Sequence, residues 1–135
     1  MRKRVWIVSV SAFAAALMLA SLSWAHMVFS ITFPTNIYLD RPGIYTYDVT
    51  IDPLYGNVGY VLWADDDTMP EGIYAAVVPP MWYFYDATNS ITAELMIMAL
   101  PKAQSGQIYF NLIQIIPIGY SDKHVINGPY VTINY

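Results

Sequence analysis

The chain has 135 residues, the length of one domain, and 56% of them are hydrophobic against 12% charged, which excludes a disordered protein. Three of its six basic residues lie in the first four positions, leaving three against ten acids in the remainder. Such an acidic domain repels nucleic acid and excludes it as a partner. Cysteine is absent, which excludes disulfides, thiolate metal sites and cysteine nucleophiles.

The first 25 residues have the order of an export signal. The basic cluster at positions 2–4 precedes an apolar run at 5–22, and Ser23 and Ala25 are the small residues expected before a cleavage site. The alternative is an uncleaved membrane anchor, because the apolar character continues as far as Phe33. We therefore predict a signal peptide or membrane anchor at 1–25, with any membrane contact confined to it. Residues 26–135 then form one domain exported to the periplasm or beyond the cell.

The mature part is predicted to be all-β, with short alternating segments separated by proline and glycine. The predicted strands are 27–33, 44–51, 59–64, 72–78, 82–85, 91–100, 107–116 and 130–135, and the turns between them include 52–53 and 127–128. Residues 91–100 also suit a helix, since alanine, leucine and methionine are helix formers, but a strand is favoured. About seven or eight such strands make a β-sandwich.

The two histidines of the chain are its candidate metal ligands. His26 follows the predicted cleavage site, so a mature chain would offer both its imidazole and its α-amine. His124 is predicted where a strand ends and a loop begins, and Asp122 lies two residues before it, on the same side of extended chain. Nitrogen and oxygen ligands without sulfur suit Cu(II) best among the first-row divalent ions. An exposed loop histidine is more often no ligand at all, so the prediction depends on the two histidines meeting.

Both ends of the mature chain resemble the CopC-like periplasmic copper-binding proteins. At the start, the residues at that family's spacing are His26, Phe29, Thr32 and Pro34. Near the end they are Asp122, His124, Ile126 and Gly128, followed by an alternating terminal strand. The resemblance implies an immunoglobulin-like Greek-key sandwich with one Cu(II) site. In that site His26 would supply amine and imidazole, His124 a second imidazole and Asp122 a carboxylate at or beside the metal.

Three functions follow from these patterns. The first is a non-catalytic exported protein that holds or delivers Cu(II), with a membrane copper transporter or a neighbouring envelope protein as its partner. The second is a structural or adhesive subunit of a cell envelope or pilus, indicated by the apolar, tyrosine-rich strands. The third is a copper monooxygenase, since two histidines can also bind copper in polysaccharide-oxidising enzymes. The acidic run at 65–67 is interpreted as a solvated turn. The aromatic run at 82–85 suits a sugar-binding or partner-binding face, and packing in the core and on the sandwich surface explains it as well.

Overall fold

The computed structural model describes residues 27–86 and 89–135. The predicted signal or anchor at 1–25 and the candidate ligand His26 lie outside these residues. Ten strands occur in the described part: β1 (Phe29–Thr32), β2 (Asn36–Leu39), β3 (Gly43–Pro53), β4 (Val58–Ala64), β5 (Ile73–Val78), β6 (Met81–Phe84), β7 (Ile91–Ala99), β8 (Gly106–Ile116), β9 (Gly119–Tyr120) and β10 (His124–Ile133).

The strands form two sheets that stack as an immunoglobulin-like sandwich, which confirms the predicted fold class. The four-stranded sheet has the order β1-β3-β7-β5. The six-stranded sheet has the order β2-β10-β8-β4-β6, with β9 paired to β8. Neighbours such as β3 and β7 are far apart in sequence, so the connections cross from one sheet to the other, as in Greek-key folds.

The core lies between the sheets and follows from the period-two alternation of the strands. In β7 the buried residues Ala93, Leu95, Ile97 and Ala99 alternate with exposed ones, so the segment that also suited a helix is a strand. Opposite it, the six-stranded sheet contributes buried Tyr60, Leu62, Phe110 and Leu112. The ring of Phe29 packs edge-on against that of Tyr60, with 5.8 Å between their centroids.

The first two strands, β1 and β2, belong to different sheets. β1 pairs antiparallel with β3, and after Pro34 the chain crosses to the other sheet, where β2 pairs in parallel with the end of β10. The predicted first strand, β1, therefore lies beside β3, and it is the next strand, β2, that lies beside the late strand β10. β2 was not predicted, because its four residues are too few to show a period.

Three local predictions were wrong. Residues 52–53 do not turn but complete β3, where Pro53 pairs with Phe29. Asn127 and Gly128 form an irregularity inside β10 and not a hairpin, because the strand continues on the same partner with a shift in register. His124 is the first residue of β10, opposite Leu112, so a strand begins at this residue where one was predicted to end.

Candidate functional site

The start of the described chain is held by a buried glutamine. The N–H of Val28 donates to Oε1 of Gln114 at 2.6 Å, and the N–H of Leu54 donates to the carbonyl oxygen of Val28 at 2.8 Å. Gln114 is completely buried on the inner side of β8. A buried amide stays there only when it is hydrogen-bonded, so this contact fixes where the chain enters the sandwich.

The same glutamine fixes the segment before β10. The N–H of Gln114 donates to Oγ of Ser121 at 2.9 Å, and the N–H of Ser121 donates to the carbonyl oxygen of Gln114 at 2.8 Å. The hydroxyl of Ser121 in turn donates to the carbonyl oxygen of Asp122 at 2.8 Å. Val28 and the Ser121–Asp122 segment are therefore both bonded to one residue, at one end of the sandwich.

His124 and Asp122 differ in their surroundings. His124 is half-buried, in register with the inward-facing Leu112, and its Nε2 is buried without a hydrogen-bond partner in the described part of the chain. The carboxylate of Asp122 is exposed. Between residues 27 and 135, leaving out 87–88, no group of three or more metal-ligating side chains is present. The third predicted ligand, His26, precedes Val28 by two positions and lies outside the described residues.

The outer side of the six-stranded sheet carries no charge. None of the strands β2, β4, β6, β8 and β10 contains Asp, Glu, Lys or Arg. We call its outward-facing apolar and aromatic residues the aromatic face. They are Tyr38, Val61, Trp63, Met81, Tyr83, Tyr109, Ile113, Ile115, Val125 and Tyr130. Several are well exposed: Val125 at 59%, Met81 at 58% and Tyr38 at 66%.

Asn111 lies in the middle of the aromatic face. It pairs with Trp63 on one side and Val125 on the other, and only 4% of its surface is exposed. Its Oδ1 is buried with no hydrogen-bond partner among the described residues. Apolar neighbours therefore shield even a polar side chain on the outside of this sheet.

The outer side of the four-stranded sheet is divided into an apolar and an acidic end. Ile44, Tyr74, Met96 and Met98 line a shallow apolar depression of about 240 Å³. Asp48 and Glu94 lie directly opposite each other on β3 and β7, away from that depression. The described strands contain only one further acid, Asp52, whose carboxylate accepts from the Ser90 hydroxyl at 2.9 Å.

The acidic and aromatic runs singled out in the sequence have structural roles. Asp65 caps a single 3-10 turn (Asp66–Thr68), accepting from the N–H of Asp67 at 3.3 Å and from the Thr68 hydroxyl at 3.0 Å. In the aromatic run Phe84 is buried against Phe29, whereas Trp82 is half exposed at a sheet edge. Tyr83 of the same run lies on the aromatic face, so the partner-binding alternative for 82–85 points to a part of it. The extension of that face over β8 and β10 was not predicted, although Ile113 and Ile115 are spaced two apart, as residues on one side of a strand are.

No helix in the described residues has both the length and the apolar character needed to cross a membrane. Comparison with protein-family models gives no match, and neither does comparison with curated proteins.

Solved structures share the fold at low sequence identity. The YadV chaperone superposes with a TM-score of 0.54 at 20% identity, over 81% of this chain and 53% of that protein. A PapD-like domain of human CEP192 gives 0.51 at 8% identity, over 78% of this chain and 84% of that domain. The VesB protease of Vibrio cholerae gives 0.50 at 14% identity, over 78% of this chain and 32% of that protein. This chain thus spans about half of the chaperone and a third of the protease, and the likeness concerns the sandwich alone.

Proposed function

We propose that this chain is an exported structural or adhesive β-sandwich of the cell envelope, a building block of a surface layer or pilus without catalytic activity. The observation that carries the proposal is the aromatic face, which shares the outer side of the six-stranded sheet only with uncharged polar residues. Large exposed apolar patches are uncommon on monomeric soluble proteins and mark surfaces that contact another protein or a membrane. The signal-like start of the sequence supports export.

The fold supports a protein as the partner. YadV is a chaperone, and a similar sandwich forms about half of it. A flat sheet face presents few concave pockets for a small molecule, whereas tyrosine, tryptophan and methionine are enriched in protein interfaces.

A charge on the aromatic face tests the proposal. Val125→Lys and Tyr38→Lys place an ammonium group at exposed positions, so the fold should survive while contact with a neighbour is disrupted. Ile118→Lys, at a position 57% exposed in the turn after β8, is the matched control. In the native host we expect the wild type and the control in the envelope fraction, where protease added to intact cells should digest them. Both face variants should be released. Envelope association of Val125→Lys equal to wild type would contradict the proposal.

A second candidate function is the binding of Cu(II), favoured by the unpartnered Nε2 of His124. Val28 and Ser121 are both hydrogen-bonded to Gln114. Val28, which follows His26 by two positions, therefore lies near the Asp122–His124 segment. A residue of extended chain spans about 3.3–3.6 Å, which brings His26 within reach of that segment. His26 would contribute amine and imidazole, His124 an imidazole and Asp122 a carboxylate.

Mass spectrometry of the exported protein tests the amine ligand, since the copper site requires a chain that begins at His26. Titration of that protein should show one equivalent of Cu(II) with a nitrogen-rich spectrum. His124→Ala should weaken binding by at least tenfold, whereas Asn127→Ala, at an exposed position on the same strand, should leave it unchanged. An intact N-terminus, or equal binding by His124→Ala, would exclude this site.

A further inference from the structure

The outermost strand of the four-stranded sheet, β5, is an unprotected edge. Its other side pairs with no strand in the described part of the chain. Its six residues, Ile-Tyr-Ala-Ala-Val-Val, include no charge and no proline, and its register with β7 runs without a bulge from Ile73 to Val78. Natural edge strands usually carry a charge, a proline or a bulge, because an edge without them is a template for another strand. This edge is therefore suited to pairing.

The hydrogen bonds between β5 and β7 show which backbone groups of β5 point to the free edge. The N–H of Leu100 donates to the carbonyl oxygen of Gly72 at 2.9 Å, so Gly72 and its alternate residues point their backbone groups at β7. Ala75 and Val77 then point theirs at the free edge. A cleft of about 170 Å³ opens along these residues, bordered by Leu62, Trp63 and Ala64 of the other sheet and, in the connection that follows them, by Asp66. The edge is thus open to an incoming strand.

The outward side chains form three rows across β3, β7 and β5. The first row is Ile44, Met98 and Tyr74, the second is Thr46, Met96 and Ala76, and the third is Asp48, Glu94 and Val78. The outer face beside the edge is consequently apolar at one end, small in the middle and acidic at the other. If a second copy of the sheet lies alongside in the opposite direction, its apolar row adjoins the acidic row of the first copy.

We propose that a second copy of this chain pairs with β5, antiparallel, across a two-fold axis at Ala76, to form a continuous eight-stranded sheet. Ala75 then lies opposite Val77 of the second copy, so their free backbone groups meet. Tyr74 lies beside Val78 of the second copy, a large side chain next to a smaller one. Glu94 falls in the row that holds the second copy's Met98, so the acids of the two copies lie at opposite ends. Isologous contacts of this kind close after two subunits.

Neighbouring registers fit less well. An axis at Val77 places Ala75, whose backbone groups are free, opposite Pro79, which has no N–H to donate. The axis at Ala76 sets Pro79 opposite Ile73 instead, whose N–H already has an acceptor within the subunit. An axis at Ala75 sets Val78 against Gly72 and requires the N–H of Ile73, which already donates to the carbonyl oxygen of Pro70 at 3.1 Å. The pairing deepens the proposed function and rests on it, since it names one contact by which an envelope building block joins its neighbour.

Cysteine cross-linking tests the axis, because the native chain has no cysteine. In the proposed register the two copies of residue 76 form a non-hydrogen-bonded pair, whose Cα atoms are about 4.5 Å apart, within the range of a disulfide. Exported Ala76→Cys protein should oxidise to a covalent dimer. Thr46→Cys, exposed in the same row but two strands away, should not. A dimer from both variants, or from neither, would overturn the proposed axis.

Charge variants provide a second and independent readout by analytical ultracentrifugation. Ala76→Lys sets two ammonium groups against each other and should weaken self-association at least tenfold, while Thr46→Lys should leave it unchanged. Mixing Ala76→Lys with Ala76→Glu should restore a mixed dimer. A wild type that stays monomeric, or binds only a foreign peptide, would overturn the pairing. Envelope association that still depends on Tyr38 and Val125 would then leave the proposed function standing.

Discussion

Tyr60 shows how this cysteine-free domain satisfies a polar group in its core. The side chain is completely buried, and its hydroxyl donates to the carbonyl oxygen of Pro79 at 2.9 Å. Burial disfavours the charged phenolate and raises the pKa of Tyr60 to about 12. In the unfolded chain the phenol ionises near pH 10, so the folded state holds this proton more tightly. The stability gained in this way is complete below pH 10 and is lost as the pH rises towards 12.

Tyr60→Phe should therefore change both the stability and its alkaline pH dependence. At pH 7 we expect the free energy of unfolding to fall by about 1–2 kcal/mol, because the buried carbonyl of Pro79 loses its donor. Between pH 10 and 12 the variant should lose less stability than the wild type. Tyr55→Phe, at a position 62% exposed, is the control and should match the wild type in urea unfolding at each pH. Equal alkaline slopes for Tyr60→Phe and wild type would contradict the assignment.

The connection between β8 and β10 depends on Ser121, whose hydroxyl accepts from Gln114 and donates to Asp122. Ser121 is 3% exposed, so Ser121→Ala leaves buried backbone groups unpaired and should cost about 1–3 kcal/mol of unfolding free energy. Ser90→Ala removes a hydroxyl that bonds Asp52 at an exposed position, and should change the stability by less than about 0.5 kcal/mol. Thermal unfolding of both variants measures the difference, and equal shifts would show that the glutamine contacts do not hold this end.

Elements with a clear period could be predicted from the sequence, and those whose position depends on tertiary contacts could not. β3 alternates over many residues, so its existence and its inner face could be predicted. The segment of β7 also suits a helix, and its pairing with β3 and β5 decides for a strand. β2 has four residues and β9 has two, and both are strands only because β10 and β8 lie beside them. The sequence predicts a turn at Gly128, yet the strand continues there on the same partner. Glycine is needed at this position because a Cβ would overlap the ring of Phe110. Its lack of a side chain serves packing, which no local pattern reveals.

The candidate site was predictable only in its parts. The sequence named Asp122 and His124, and the structure adds the buried, unpartnered Nε2 and the shared anchor at Gln114. The anchor could not be predicted, because it joins residues 86 positions apart in the chain. The copper hypothesis stays a prediction, since His26 lies outside the described residues.

At the scale of the molecule, most charges of the described residues lie outside the strands. The described strands contain three acids, Asp48, Asp52 and Glu94, all on the four-stranded sheet, and no Lys or Arg. The remaining charges of the described residues lie in the connections, as in Asp65, Asp66 and Asp67. Charged connections keep the domain hydrated at its ends, while both sheet faces are left for neighbours. This distribution fits a domain that assembles with its neighbours in an envelope.

Hydroxyl-radical footprinting of the protein in its native envelope tests that claim most directly. Trp63 and Met81 on the aromatic face are oxidisable, and Tyr55, exposed in a loop, serves as the internal reference. We predict that Trp63 and Met81 are oxidised several-fold less in the intact envelope than in the purified folded protein, with Tyr55 oxidised equally in both. Equal oxidation of Trp63 and Met81 in the two samples would contradict the account, because the aromatic face would then be open to solvent in the cell.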